Sequence, residues 1–257
     1  MTPLFLEGTA IGCVHPEWLE RLLNPPSPFH LDDQGRLSLV APLATFSSRS
    51  AVLANWAEQV RERWGLPGWR DERIVVRDHG QARFSIERAL LRPLGLQLPS
   101  VQASVYTLTP QGPRIWIARR AATKPVDPGC LDALVAGGIS GFDDTMSTLV
   151  RECGEEAGIE PLIAQTAQPC GSLEICYDTL DQGLTVTHRE RIALYELLIP
   201  SDDPPRVVDG EHEAILALSP QEAWASIQEA RWTPDGAQAT LALIERHRWL
   251  SPETLRR

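Results

Sequence analysis

Basic residues are the scarce charge in this chain: 24 lysines and arginines stand against 34 aspartates and glutamates, a net charge of −10. That deficit argues against nucleic-acid partners and anionic membrane surfaces, which select for a wide positive field. It leaves room for a local basic pocket around a phosphate. The sequence has no apolar run approaching the roughly 20 residues that span a bilayer, so no membrane partner is expected. The opening MTPLFLEGTAIG lacks both a basic start and a long apolar stretch, so no secretory signal is expected. Cysteine is sparse: Cys13, Cys130, Cys153, Cys170 and Cys176 are odd in number, scattered and without metal-ligand spacing. Reduced thiols in a reducing compartment follow, with a cytoplasmic location. The sequence shows no internal repeat or low-complexity tract. What remains is a chain of 257 residues with 43% apolar content, ample for one large or two modest globular cores.

Residues 1–98 read as a smaller α+β accessory domain without catalytic spacing. Pro16 to Leu23 carries Trp18, Leu19, Leu22 and Leu23 at helical spacing, and Pro25, Pro26 and Pro28 break it. Arg36 to Val40 alternates like a strand. Ser47 to Trp64 places Val52, Leu53, Trp56, Val60 and Trp64 along one helical stripe. Glu72 to Arg77 and Ala82 to Ile86 form a strand pair around His79-Gly80, and a short helix starts at Glu87. The boundary falls in Leu94 to Ser100.

Residues 99–257 form the second domain. Ala103 to Thr109 and Arg114 to Arg119 read as strands, and Ser172 to Tyr177 with Thr185 to Pro200 as two or three more. Glu213 to Ser219 adds a strand, and Pro220 to Glu229 and Thr240 to Trp249 add helices. This order predicts an α/β/α sandwich on a mixed sheet.

The most informative stretch is Gly137 to Ile159. Met146, Leu149, Val150, Cys153 and Ala157 give it the apolar face of a helix. Glu152 and Glu156 lie one turn apart, about 5–6 Å between Cβ atoms, and Glu155 flanks the same face. Like charges so close destabilise a helix unless a cation lies between them. Gly158 is placed to stop the helix, and Gly137 and Gly138 are expected to open a turn ahead of it. Clustered carboxylates suit Mg²⁺ or Mn²⁺, hard cations that prefer oxygen ligands.

From Gly137 the spacing is five residues to Asp143, then seven to Arg151-Glu152-Cys153-Gly154-Glu155-Glu156-Ala157-Gly158-Ile159. This resembles the Nudix box, G-x5-E-x7-R-E-U-x-E-E-x-G-U, with Asp143 in place of its first Glu. Further pieces narrow the resemblance: Gly68 to Glu72, Ile86 to Ala89, Trp116 to Arg120, Thr123-Lys124, Pro128-Gly129, Leu131-Asp132, Val135 to Gly138, Asp209 to Glu211 and Trp232 to Pro234. Together they resemble the thiamine pyrophosphokinase-related Nudix hydrolases, whose members carry an uncharacterised N-terminal domain. The resemblance implies hydrolysis of thiamine diphosphate, or better its oxidised analogues, to the monophosphate and phosphate. It implies Glu152, Glu155 and Glu156 as metal ligands and bases, the Gly137 carbonyl as a further ligand, and Arg151 as their orienting partner.

Lys124, Arg119 and Arg120 are candidates for the terminal phosphate, with a solvated basic turn as the competing reading. Glu211 and Glu213 are candidates for a further ligand or base, against a charged loop. For Trp69, Trp116 and Tyr177, core packing is expected rather than ring stacking on a substrate. Asp143 is expected to pair with Arg151, and Asp144 to substitute for it or cap the helix. His188 and His212 lack metal spacing and are expected to be surface or satisfied residues. Hydrolysis of ADP-ribose or a nucleotide sugar stays open as an alternative, as does a catalytically weak binding module. A monomer or homodimer is expected.

Overall fold

The computed structural model describes residues 1–39, 44–66, 68–124, 127–181, 183–208 and 210–255. Val40, at the end of one expected strand, and Asp209, in one matched motif, lie outside the described residues. By its contacts the chain forms two units. One holds Met1–Pro99 together with Ile139–Asp143 and Glu174–Arg191; the other holds Ser100–Gly138, Asp144–Leu173 and the residues from Ile192 onward.

The first unit opens with strands β1 (Thr2–Leu6) and β2 (Thr9–Val14), followed by helix α1 (Pro16–Leu23) and the short strands β3 (Phe29–Leu31) and β4 (Leu37–Leu39). These strands form a four-stranded mixed sheet in the order β2-β1-β4-β3, with β1 and β4 parallel. β1 has no counterpart in the sequence reading, because five residues give too short a pattern to separate from a loop. Helix α2 (Phe46–Trp64) starts at a capping box between Thr45 and Ser48 and ends at Gly65, whose φ of 56° is left-handed. Its stripe of Leu53, Trp56, Ala57, Val60 and Trp64 is buried. Trp18, Trp56 and Trp64 meet edge to face, with centroids 5.4–5.6 Å apart. The pair β5 (Arg73–Asp78) and β6 (Gln81–Glu87) closes this core with Ile74, Phe84 and Ile86, before a 3-10 turn at Arg88–Leu90.

A seven-stranded sheet organises the rest. It comprises β7 (Gln97–Thr109), β8 (Gly112–Arg120), β9 (Leu131–Ala133), β10 (Val135–Gly138), β11 (Gln168–Asp181), β12 (Leu184–Leu198) and β13 (His212–Leu218). The order is β11-β12-β7-β8-β13, with β10 on β7 and β9 on β8. The helices are α3 (Thr145–Ala157), α4 (Pro161–Ala164), α5 (Pro220–Gln228), α6 (Pro234–Arg246) and α7 (Pro252–Leu255). α3 packs on β10, α5 on β8 and α6 on β9, giving the α/β/α arrangement. Ile115, Ile117, Leu131, Ala223, Trp232, Leu243 and Ile244 form the core beneath α5 and α6. Among the described residues no helix is long and apolar enough to cross a membrane.

Two expectations need correction and one needs its bounds moved. Gly137 and Gly138 are not a turn: they end β10, paired with Val101 and Ser100 of β7. Of the two or three strands expected after the box helix there are two, of 14 and 15 residues, and the first extends well beyond Ser172 to Tyr177 at both ends. β11 is exposed along most of its length, so its side chains mark only its middle in the sequence and backbone pairing sets its ends. α6 starts six residues before Thr240, because Thr233 caps it and Pro234 fits its first turn, where a missing N–H costs nothing.

Candidate functional site

The site is built on α3. Asp144 caps it: its carboxylate accepts the Ser147 N–H at 2.7 Å, and Ser147 Oγ accepts the Asp144 N–H at 3.2 Å. The hydrogen bond from the Ser147 backbone holds the Asp144 carboxyl below its usual range. Asp144 is thus the cap rather than the substitute acid. Gly158 ends the helix at a φ of 62°. Glu155 and Glu156 lie in the last turn, where the helix dipole disfavours anions and which holds no basic residue of its own. The helix therefore carries three carboxylates against both mutual repulsion and its own dipole.

The tertiary structure sorts the three. Glu152, 12% exposed, lies against Gly137 of β10: a Cβ there would sit 2.1 Å from Glu152 Oε1. Glu156, 8% exposed, accepts the Ala136 N–H at 2.8 Å. Both carboxylates are thus pinned to β10, while Glu155 is largely exposed. Arg151 spans the set, 2.7 Å from Glu152 and 2.9 Å from Glu155. Burial alone would lower the Arg151 pKa, but the charges of Glu152 and Glu155 outweigh it and raise it. Between the two pinned acids, burial and then the charges of Glu156 and Glu152 push the Cys153 thiol up to about 12. Arg151 thus takes its partners from its own helix; Asp143 is exposed, and its N–H donates to the Ser140 carbonyl at 3.1 Å.

Among the described residues no three His, Cys, Asp or Glu side chains are so grouped that by themselves they could hold a metal ion. The donors on offer are nevertheless all oxygens, two of them fixed on one strand, and the bare Cα of Gly137 gives the Glu152 carboxylate its place. That set fits a hard divalent cation.

A second group lies where β8 ends and β13 begins. Lys124 pairs with Glu211. Arg119 stands 3.8 Å from Glu213, both partly exposed. Arg120 is engaged differently: Asp132, buried on β9, accepts its guanidinium at 2.8 Å, the Thr233 hydroxyl at 2.7 Å and the Ala133 N–H at 2.8 Å. Arg120 therefore ties β8 to β9 and the cap of α6. A cavity of about 360 Å³ adjoins Arg119, lined also by Leu131, Leu216, Leu218, Glu222 and Arg231.

The aromatic candidates divide. Trp69 is half-buried, with the Arg61 guanidinium 4.7 Å from its ring centre and its Nε1–H donated to Asp71 at 2.8 Å. Trp116 is half-buried on β8. Tyr177 is 40% exposed and faces His188 at 5.1 Å, so it is not a core residue; β11 has no buried face there. His188 is satisfied by Glu190 and Arg92, and His212 is buried. Sequence reasoning missed Tyr195, whose hydroxyl meets Thr145 Oγ1 of α3 at 2.6 Å. Fifty residues separate them, and no spacing rule connects a strand tyrosine to a helix start that distant.

Comparison with known proteins gives a NUDIX domain over residues 98–254 and a domain of unknown function, DUF4743, over residues 1–97. The chain is similar to Nudix hydrolase 20, chloroplastic, of Arabidopsis thaliana, 28% identical over 98% of this chain and 69% of that protein. It is similar to an uncharacterized Nudix hydrolase of Rhodococcus erythropolis, 31% identical over 67% of this chain and 91% of that protein. An uncharacterized Saccharomyces cerevisiae protein is 28% identical, and this chain spans 58% of its length. Among solved structures, DR0079 of Deinococcus radiodurans matches with a TM-score of 0.47 and 23% identity, over 67% of this chain and 98% of that one.

Proposed function

The chain belongs to the Nudix family, and from that premise we propose a metal-dependent hydrolase that cleaves thiamine diphosphate, or an oxidised analogue of it, to the monophosphate and orthophosphate. Family membership makes it a pyrophosphatase-type hydrolase. The observation that carries the chemistry is the pair of carboxylates, Glu152 and Glu156, pinned to β10 at the bare Cα of Gly137. With Glu155 and the Gly137 carbonyl they would hold Mg²⁺ or Mn²⁺, which supplies charge neutralisation on the phosphate and acidifies bound water.

The chain's own residues do the rest. Arg151, bound to Glu152 and Glu155, sets the direction of both carboxylates with a rigid guanidinium. A carboxylate of this set takes the proton of the attacking water. Lys124 and Arg119 bring positive charge to the terminal phosphate, with Glu211 and Glu213 holding them in place. Arg120, fixed by Asp132, orients the strand end that presents them. Residues 1–98 form an accessory domain ahead of a hydrolase domain of residues 99–257. A cytoplasmic location and a monomer or homodimer complete the reading.

The thiamine assignment is supported by Trp69-Arg70, Ile86 to Ala89 and the run from Thr123 to Gly138, two of which lie ahead of the Nudix domain. Those two lie outside the box that carries the carboxylates. The test is product analysis with Mg²⁺ over thiamine diphosphate, its oxo- and oxy- analogues, ADP-ribose and nucleotide sugars. The highest kcat/KM is expected for the oxidised thiamine diphosphates. If ADP-ribose or a nucleotide sugar leads, the thiamine assignment fails and diphosphate hydrolysis survives.

A further inference from the structure

The loop that leads into α3 belongs by its contacts to the same unit as residues 1–99. The Ser140 hydroxyl donates to Glu72 Oε1 at 2.6 Å, and the second Glu72 oxygen takes Arg88 at 2.8 Å. The Gly141 N–H donates to the Arg73 carbonyl at 2.8 Å, and Ile74 and Gly141 form a parallel bridge. Phe142 sets its ring 5.3 Å from that of Phe46 at the start of α2, although Phe142 is 68% exposed. Ile139 donates to the Pro99 carbonyl at 2.9 Å.

These contacts hold a segment that local sequence leaves loose. Gly141 has a φ of 55°, with open space where a Cβ would be, so a glycine there is free to leave this conformation. Three residues separate it from Thr145, the first residue of α3. Because the Asp143 N–H closes onto the Ser140 carbonyl, fixing Ser140 fixes the turn that delivers Asp143 and the cap Asp144.

Resting on the reading of α3 as the metal-binding helix, we propose that the segment ahead of the Nudix domain is a positioning element for the reaction. Glu72, through Ser140, and the Arg73 carbonyl, through Gly141, hold the loop from which α3 starts. Glu72 is the positioning residue. Its carboxyl supports the assignment: burial would raise its pKa, yet the hydrogen bonds from Ser140 and Arg88 and the Arg88 charge bring it below the usual range. Ionised, it accepts the Ser140 hydroxyl in a charge-assisted bond. This gives residues 1–97 a role in the hydrolysis without a residue that touches the substrate.

The test uses the full chain as wild type, Glu72→Ala, Glu72→Gln, Ser140→Ala, Ser140→Thr and the Glu72→Ala/Ser140→Ala double variant. With Mg²⁺ and a turned-over diphosphate, Glu72→Ala and Ser140→Ala should each lower kcat about tenfold, the scale of one charge-assisted hydrogen bond, with KM within about twofold. The double variant should lose no more than the worse single, since both break one contact. Ser140→Thr, which keeps the hydroxyl, should restore most of the rate, and Glu72→Gln, which keeps an acceptor and guards against a misfolded alanine variant, should fall between. Independently of turnover, amide exchange at Gly141 should speed up about tenfold in both alanine variants while Leu149 to Cys153 stay protected. Unchanged exchange at Gly141, unchanged kcat in both singles, or losses that multiply in the double variant would overturn the proposal. A wild type that hydrolyses no diphosphate overturns the functional reading instead, and exchange at Gly141 then decides the loop on its own.

Discussion

Replacing Gly137 by alanine isolates the contact on which the active-site reading depends. Gly137 lies in β10, outside the left-handed region, so an alanine backbone fits there without strain. The side chain does not fit. Its Cβ would lie 2.1 Å from Glu152 Oε1, 2.2 Å from Cδ and 2.5 Å from Cγ. An ordinary carbon contact is about 3.5 Å, so the carboxylate must retreat by more than about 1 Å. That also breaks the 2.7 Å contact to Arg151. A misplacement of about 1 Å in a reacting group costs on the order of 10²-fold in rate, about 2.7 kcal/mol on the barrier. The overpacking itself should cost about 1–3 kcal/mol of stability, which leaves the fold intact. The assay is Mg²⁺-dependent turnover of the best diphosphate, beside circular dichroism and thermal melts. Gly154→Ala is the control, because nothing lies within 4 Å of its Cβ position. In mid-helix it should keep full activity and gain up to about 1 kcal/mol of stability. A Gly137→Ala enzyme within threefold of wild type would falsify the claim that Glu152 works from its seat on Gly137.

Four further outcomes follow from the same geometry. Glu156→Gln should abolish most turnover with unchanged circular dichroism, since the amide can keep the Ala136 contact but not the charge; near-normal activity in both this variant and Glu152→Gln would remove the metal site from α3. Asp143→Ala should cost far less activity than Glu152→Ala, and Asp143→Glu should be tolerated; equal losses would make Asp143 a primary ligand or base. Asp132→Ala should destabilise the protein by about 3 kcal/mol, because it removes the buried carboxylate that Arg120 and the Thr233 hydroxyl share; a melting temperature unchanged from wild type contradicts the structural role of that pair. Cys153, raised to about 12 by burial first and then by Glu156 and Glu152, should resist thiol reagents at pH 8 in the native state while exposed Cys176 reacts. Because its folded pKa lies above the ordinary thiol value, its contribution to stability is complete below about pH 8.5 and is lost as pH rises toward 12; rapid native-state labelling of Cys153 contradicts its burial.

What the sequence determined was local. The ends of α3 were legible, because a cap at Asp144 and a stop at Gly158 are set by backbone groups within four residues of each. The stripe of α2 was legible for the same reason: its period of 3.6 is written in consecutive residues. So was the crowding of Glu152, Glu155 and Glu156. Only the tertiary structure decided what those carboxylates face. Glu152 rests on a glycine that pairs as a strand, and Glu156 accepts the next N–H along it, contacts 15 and 20 residues distant that no helical period encodes. It also decided that Arg120 and the Thr233 hydroxyl share Asp132, that Lys124 meets Glu211 across 87 residues, and that the box loop meets Glu72 and, through Gly141, β5. Periodicity reports which face of an element is apolar; which polar partner meets that element depends on how distant segments pair, and pairing across such distances leaves no mark in either sequence alone.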